Sequence, residues 1–98
     1  MITGKQRSYL KKLAHNLDPM VMLGKGGLTD NIRQEMENNF EARELVKVKL
    51  QEGCDLNAKD VANQLAEELN AEFVQAIGRK FTLYRESKDN KTIELPKK

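Results

Sequence analysis

Apolar positions recur along this chain with two different periods, one helical and one strand-like, and their order predicts a mixed fold of helices and strands. Leu10, Leu13, Ala14 and Leu17 repeat at helical spacing, and Thr3 stands three residues before Gln6 as in a capping box, so a first helix runs from there to about Asn16–Asp18. Pro19 ends it. Met20-Val21-Met22-Leu23 is a continuous apolar run, too short for a helix, and predicts a buried strand.

Thr29 is placed to cap a second helix, with Asp30 in its first turn and Ile32, Met36 and Phe40 on one face. Leu45 to Leu50 alternates: Val46, Val48 and Leu50 point one way, Lys47 and Lys49 the other, so the lysines are expected to face solvent or ligand. Gly53 breaks this strand, Asn57 caps a third helix, and Val61, Ala62, Leu65, Ala66 and Leu69 form its apolar stripe. Phe73–Ile77 and Phe81–Arg85 predict two strands joined around Gly78-Arg79-Lys80. Thr92–Leu95 is expected to add a short last strand before Pro96. The order is α-β-α-β-α-β-β, an α/β sandwich.

At 98 residues the chain has room for one core, so residues 1–98 are expected to form a single domain. With 39% hydrophobic and 33% charged residues the composition is that of a globular protein. No apolar run is long enough to cross a bilayer and the amino terminus turns polar at once, so we expect no membrane association and a cytoplasmic location. Cys54 and His15, the single residues of their kinds, make a poor metal set, and neither metal nor other cofactor is expected.

The net charge of +2 hides an uneven distribution. Residues 1–29 hold five Lys/Arg against one Asp, residues 30–72 five against eleven acids, and residues 73–98 seven against three. Two basic ends around an acidic middle would give one positive face if the fold brings the ends together, which suits a polyanion such as RNA. A solvated surface explains the same counts.

The segment that changes the picture is Leu23-Gly24-Lys25-Gly26-Gly27-Leu28-Thr29, which sets three glycines between a strand and a helix start. Glycine admits positive φ and lets another backbone come close. The unpaired N–H groups of the following helix turn favour phosphate, and Lys25 adds a full charge at the tip. KH domains clamp a nucleic-acid backbone with such a G-x-x-G loop. A nucleotide-binding P-loop pattern is absent, and G-x-G-x-x-G fails because Thr29 stands where the third glycine belongs.

Three ordered segments, the Leu-Gly-x-x-Gly-Leu-Thr of residues 23–29, Leu-Val-Lys-Val-Lys of 45–49 and Ile-Gly-Arg-Lys-Phe-Thr-Leu-Tyr-Arg of 77–85, together resemble the CRM domain (chloroplast RNA splicing and ribosome maturation). More closely, residues 2 to 96 resemble its bacterial single-domain, YhbY-like branch. The resemblance implies a compact α/β domain with a four-stranded mixed sheet, similar to the carboxy-terminal domain of translation initiation factor three. It also implies binding to structured ribosomal RNA in precursors of the large (50S) subunit. Carried onto this chain, the RNA-binding loop is Gly24, Lys25, Gly26 and Gly27, with Thr29 closing the motif.

Lys5, Arg7, Lys11 and Lys12 on the first helix, Arg33 after the loop, and Arg79, Lys80 and Arg85 on the late strands are the expected supporting cations. Tyr9 and Tyr84 are the candidate base stackers, against a packing role, while Phe40, Phe73 and Phe81 fit buried positions. Cys54 lacks His and acid partners for nucleophilic catalysis, and Glu35, Glu37, Glu41 and Glu44 suit a solvated helix face. We therefore expect a monomeric, non-enzymatic RNA-binding protein. The competing expectation is an adaptor that docks basic ribosomal or translation proteins through the acidic helix face.

Overall fold

The structure is a computed structural model that describes residues 2–97. Its elements are α1 (Gly4–His15), β1 (Val21–Leu23), α2 (Asp30–Arg43), β2 (Leu45–Leu50), α3 (Ala58–Glu68), β3 (Glu72–Ile77) and β4 (Lys80–Tyr84). Each helix starts where a side chain satisfies an otherwise free N–H. The Thr3 hydroxyl accepts from Gln6 N at 3.1 Å while the Gln6 side chain accepts from Thr3 N at 3.0 Å. Thr29 accepts from Ile32 N at 3.2 Å, and Asn57 from Asp60 N at 3.1 Å.

The sheet order is β1-β2-β4-β3. β1 pairs parallel with β2, Val21 facing Val48 and Leu23 facing Leu50, a connection that the α2 crossover makes possible. β2 and β4 are antiparallel, as are β4 and β3, whose two-residue Gly78-Arg79 connection puts Gly78 at φ +60°.

Alternation along the strands builds two unequal cores. On one face Val21, Leu23, Val46, Val48, Phe81 and Leu83 pack with Met36 and Phe40 of α2 and Val61 and Leu65 of α3. On the other, Leu10 and Ala14 of α1 meet Leu45, Val74 and Tyr84, with Ile93 and Leu95 alongside. Phe40 and Phe81 are buried as expected, whereas Phe73 is half-buried.

Three expectations change. Lys47 does not point to solvent or ligand: its Nζ donates to the carbonyls of Ala14 at 3.1 Å and Leu17 at 3.0 Å, satisfying acceptors at the end of α1. Thr92–Leu95 is not a strand, because a carboxylate takes the N–H groups that a neighbouring strand would have taken. That carboxylate is Glu44, expected on the solvated face of α2 but fully buried.

Glu44 ends α2 at φ 66°, a left-handed conformation costly for a residue with a side chain. Its surroundings compensate. Glu44 N donates to Phe40 O at 2.9 Å and its carbonyl accepts from Arg85 N at 3.0 Å. Its carboxylate accepts from Ser87 N at 2.8 Å on one oxygen, and from Thr92 N at 2.6 Å and Ile93 N at 2.8 Å on the other. Burial pushes this carboxyl up, but the three backbone donors and the Thr92 hydroxyl together outweigh it and hold the group below the ordinary carboxylate range.

A carboxyl lowered by folding stabilises the fold fully above the ordinary carboxylate range, and that contribution disappears as pH falls through the folded value. Glu44→Gln keeps the shape but turns an NH2 group toward N–H donors. We expect it to cost about 1–3 kcal/mol at neutral pH and to lose less further stability in acid than the native chain, as read by urea unfolding at both pH values. An unaltered midpoint at neutral pH would refute this role.

Candidate nucleic-acid interface

The glycine loop leaves β1 at the end of the sheet where β2 also finishes. Leu23 O accepts from Gln51 N at 2.8 Å, so the two strand exits are tied together. Gly27 N then donates to Gly24 O at 3.0 Å, closing a tight turn with exposed Lys25 and Gly26 at its tip. Gly27 sits at φ +67°, and a Cβ there would lie 3.3 Å from Leu56 Cδ1. The positive φ favours glycine at this position, and a side chain there would also press lightly on Leu56.

Gly24 and Gly26 are less constrained by their neighbours. A Cβ on Gly26 would meet nothing closer than the Thr29 methyl at 3.8 Å, and one on Gly24 would rest 3.4 Å from Gln51 Oε1. Beneath the tip an open cleft of about 410 Å³ runs between Lys25, Gly27 and Arg33 on one side and Asp55, Leu56 and Gln64 on the other. The Thr29 hydroxyl is occupied by Ile32 N, so at the α2 entrance it serves the helix cap.

The arginines expected beside the loop all have intramolecular partners. Arg79 folds back on the segment after β2, donating to Leu50 O at 3.2 Å and, through Nη2, to Gln51 O at 3.0 Å and Cys54 O at 2.7 Å. Arg33 reaches Glu68 at 2.8 Å, and the hydrogen bond between them raises the arginine and lowers the glutamate from their ordinary values. Arg7 donates to Phe73 O at 3.0 Å on β3.

Arg85 lies at the other end of the sheet, beyond the pair Leu45 and Tyr84, and the fold does not bring it to the loop. It donates to Glu37 at 2.7 and 3.0 Å, to Glu41 at 3.3 Å and to Leu69 O at 3.0 Å, with its guanidinium 4.9 Å above the Phe40 ring centroid. The hydrogen bond from Arg85 holds Glu37 below the ordinary carboxylate range. The acidic face of α2 is thus partly neutralised from within.

The lysines differ. Lys5, Lys11 and Lys12 on α1, Lys25 in the loop, and Lys49 and Lys80 on the sheet are exposed, and among the described residues none of them pairs with a carboxylate. Arg7 and Lys11 line an opening along the β3 edge together with Lys59 of α3, a residue that sequence reasoning did not single out. Lys80 lies at the loop end of the sheet, facing Lys49. Of the tyrosines, Tyr9 is 37% exposed, while Tyr84 is 4% exposed, and burial, with Glu44 and Glu86 nearby, pushes its hydroxyl up to about 12. Tyr84 belongs to the core. Cys54 is buried as well.

Residues 2–85 match the family model for the CRS1/YhbY (CRM) domain. The chain is 45% identical over 96 residues to the Bacillus subtilis protein named "Probable RNA-binding protein YqeI", covering 98% of this chain and 100% of that one. It is 44% identical over 98 residues to a Haemophilus influenzae protein named "RNA-binding protein", covering 99% and 97%. The solution structure of a hypothetical protein from Staphylococcus aureus, described there as an RNA-binding candidate, superposes with a TM-score of 0.81 at 46% identity, covering 98% of this chain and 100% of that one.

The contrast between arginine and lysine makes a stability test. Arg79→Ala removes the donor to three carbonyls and is expected to cost about 1–2 kcal/mol, with faster amide exchange in residues 51–56. Lys25→Gln should stay within about 0.5 kcal/mol of the native chain. Equal urea midpoints for all three proteins would show that Arg79 has no such role.

Proposed function

This chain belongs to the CRS1/YhbY (CRM) domain family, and from that membership we propose that it is an RNA-binding protein that grips structured RNA by its backbone through the Gly24–Gly27 loop. The target in this proposal is ribosomal RNA of the large-subunit precursor. The protein acts there as a cytoplasmic, non-enzymatic assembly factor in a single copy. The observation that carries the proposal is the tip of the turn, where Lys25 and Gly26 are exposed while Gly27 holds the bend from below.

A phosphate brought to this tip meets the exposed backbone of Lys25 and Gly26, beside a lysine with no acidic partner among the described residues. Lys5, Lys11 and Lys12 extend the attraction, and Arg7, Arg33 and Arg79 contribute whatever donor capacity their internal bonds leave. Such contacts make affinity depend steeply on salt. An adaptor role for the acidic helix finds less support, because Arg85 already engages Glu37 and Glu41.

Gly26→Asp is the cleanest test, since this position has room for a side chain. It should lower affinity for a structured large-subunit rRNA fragment by about tenfold, or about 1.4 kcal/mol, and should shift the protein away from pre-50S particles in a sucrose gradient. Lys25→Gln should reduce the slope of log affinity against log salt by about one. Unchanged affinity at low and moderate salt, with the fold intact, would eliminate the proposed grip.

A further inference from the structure

One sheet face is only half covered. α1 ends at His15 and the chain turns away through Pro19 into β1, so the helix packs over Leu45, Val74 and Tyr84 but not over the loop end of the sheet. The strand register defines what is left there. Met22 pairs with Lys49, Lys49 with Lys80, and Lys80 with Ile77, so these four side chains form one row across all four strands on the same face.

This row is unusual in two ways. Lys49 and Lys80 are like charges placed directly opposite on neighbouring strands, an arrangement that destabilises a sheet. Among the described residues neither is offset by a carboxylate. The row also ends in exposed aliphatic groups, Met22 at 41% and Ile77 at 68%. A groove of about 300 Å³ runs beside it, lined by His15, Lys49, Gln75, Ile77 and Lys80, with Lys47 at its inner end. Lys47 satisfies the carbonyl end of α1, which would otherwise present negative partial charge to this groove.

We propose that this row and groove form a second RNA site, distinct from the glycine loop, that takes an unpaired segment of the strand. Its phosphate bridges Lys49 and Lys80, and its bases or riboses lie against Ile77 and Met22. An anion between the lysines removes the repulsion between them, and a nucleotide combines that anion with an apolar body that fits the flanking aliphatic groups. A groove of this size sits at the small end of ligand pockets and takes one small unit, not a duplex. The Gln75 amide beside the groove can both donate and accept, as contact with a base edge requires.

The site rests on the RNA-binding function proposed above, and the test separates the two. Two hairpin RNAs are compared by fluorescence anisotropy, one blunt and one carrying an unpaired tail of about eight nucleotides, within the usual span of single-strand sites. Lys49→Gln, Lys80→Gln and Ile77→Ser should each lower the ratio of tailed to blunt affinity by about three- to tenfold. The two lysine variants should also reduce the salt slope on the tailed RNA by about 0.7 each, the single-strand value. Ile77→Ser should leave the slope unchanged. Gly26→Asp should weaken both RNAs equally and preserve the ratio.

Because the lysine pair is repulsive, Lys49→Gln should melt at the native temperature or slightly above, so its effect on binding cannot come from unfolding. A ratio that stays constant in all three row variants overturns the second site, whatever the loop variant does. Loss of ratio in the row variants with no effect of Gly26→Asp would instead overturn the loop grip and leave the second site standing.

Discussion

The packing of β2 decides where every other part of this domain can sit. Its residues alternate strictly, and on one side Val46, Val48 and Leu50 are apolar throughout, which lets α2 and α3 cover the whole length of that face. On the other side the sequence runs Leu45, Lys47, Lys49, from apolar to cationic. α1 can bury itself only where that face is apolar, so Leu10 and Ala14 settle over Leu45 and Tyr84. At Lys47 the helix ends, and the lysine bonds its last carbonyls. Past Lys49 the face is open. A single strand thus sets both the extent of the second core and the position of the uncovered, positively charged surface at the loop end.

The cations divide by chemistry as well as by place. A guanidinium presents several donors in a fixed fork, and Arg79 and Arg85 use that fork to bind three carbonyls and two carboxylates respectively. Lysine carries a compact, strongly hydrated charge on a flexible stem, which gains little from such fixed bonding. All six lysines proposed for RNA contact have no acidic partner among the described residues and lie outward. The arginines therefore shape the surface that the lysines charge. Arg79 illustrates the link: it secures the segment carrying Gln51 and Cys54, next to which Gly24 and Gly27 make their turn.

Features governed by near neighbours were legible in the sequence. The caps at Thr3, Thr29 and Asn57 act over three residues, and the alternation of Leu45–Leu50 needs no partner to be recognised. Features that depend on residues far apart were hidden. Glu44 lies within an acidic run and reads as one more solvated carboxylate; its burial follows from N–H groups at 87, 92 and 93, which the fold delivers to it. The same holds for Arg85 with Glu37, and for Lys47 with the end of α1. The Lys49–Lys80 row falls between these cases. Alternation placed Lys49 away from the main core, but the antiparallel register that brings Lys80 opposite it is set by the hairpin and the sheet order.

The glycines of the loop differ in what the fold requires of them. At Gly27 the fold itself favours glycine, since φ is positive and a Cβ would come 3.3 Å from the Leu56 methyl. At Gly26 the fold imposes no such demand, because the position is exposed and a methyl group there would touch only Thr29 at ordinary contact distance. A glycine that increases the entropy lost on folding, without relieving strain or a clash, is disfavoured by stability alone. What it leaves is exposed backbone without a side chain over it. Gly27 makes the turn, and Gly26 keeps its tip accessible.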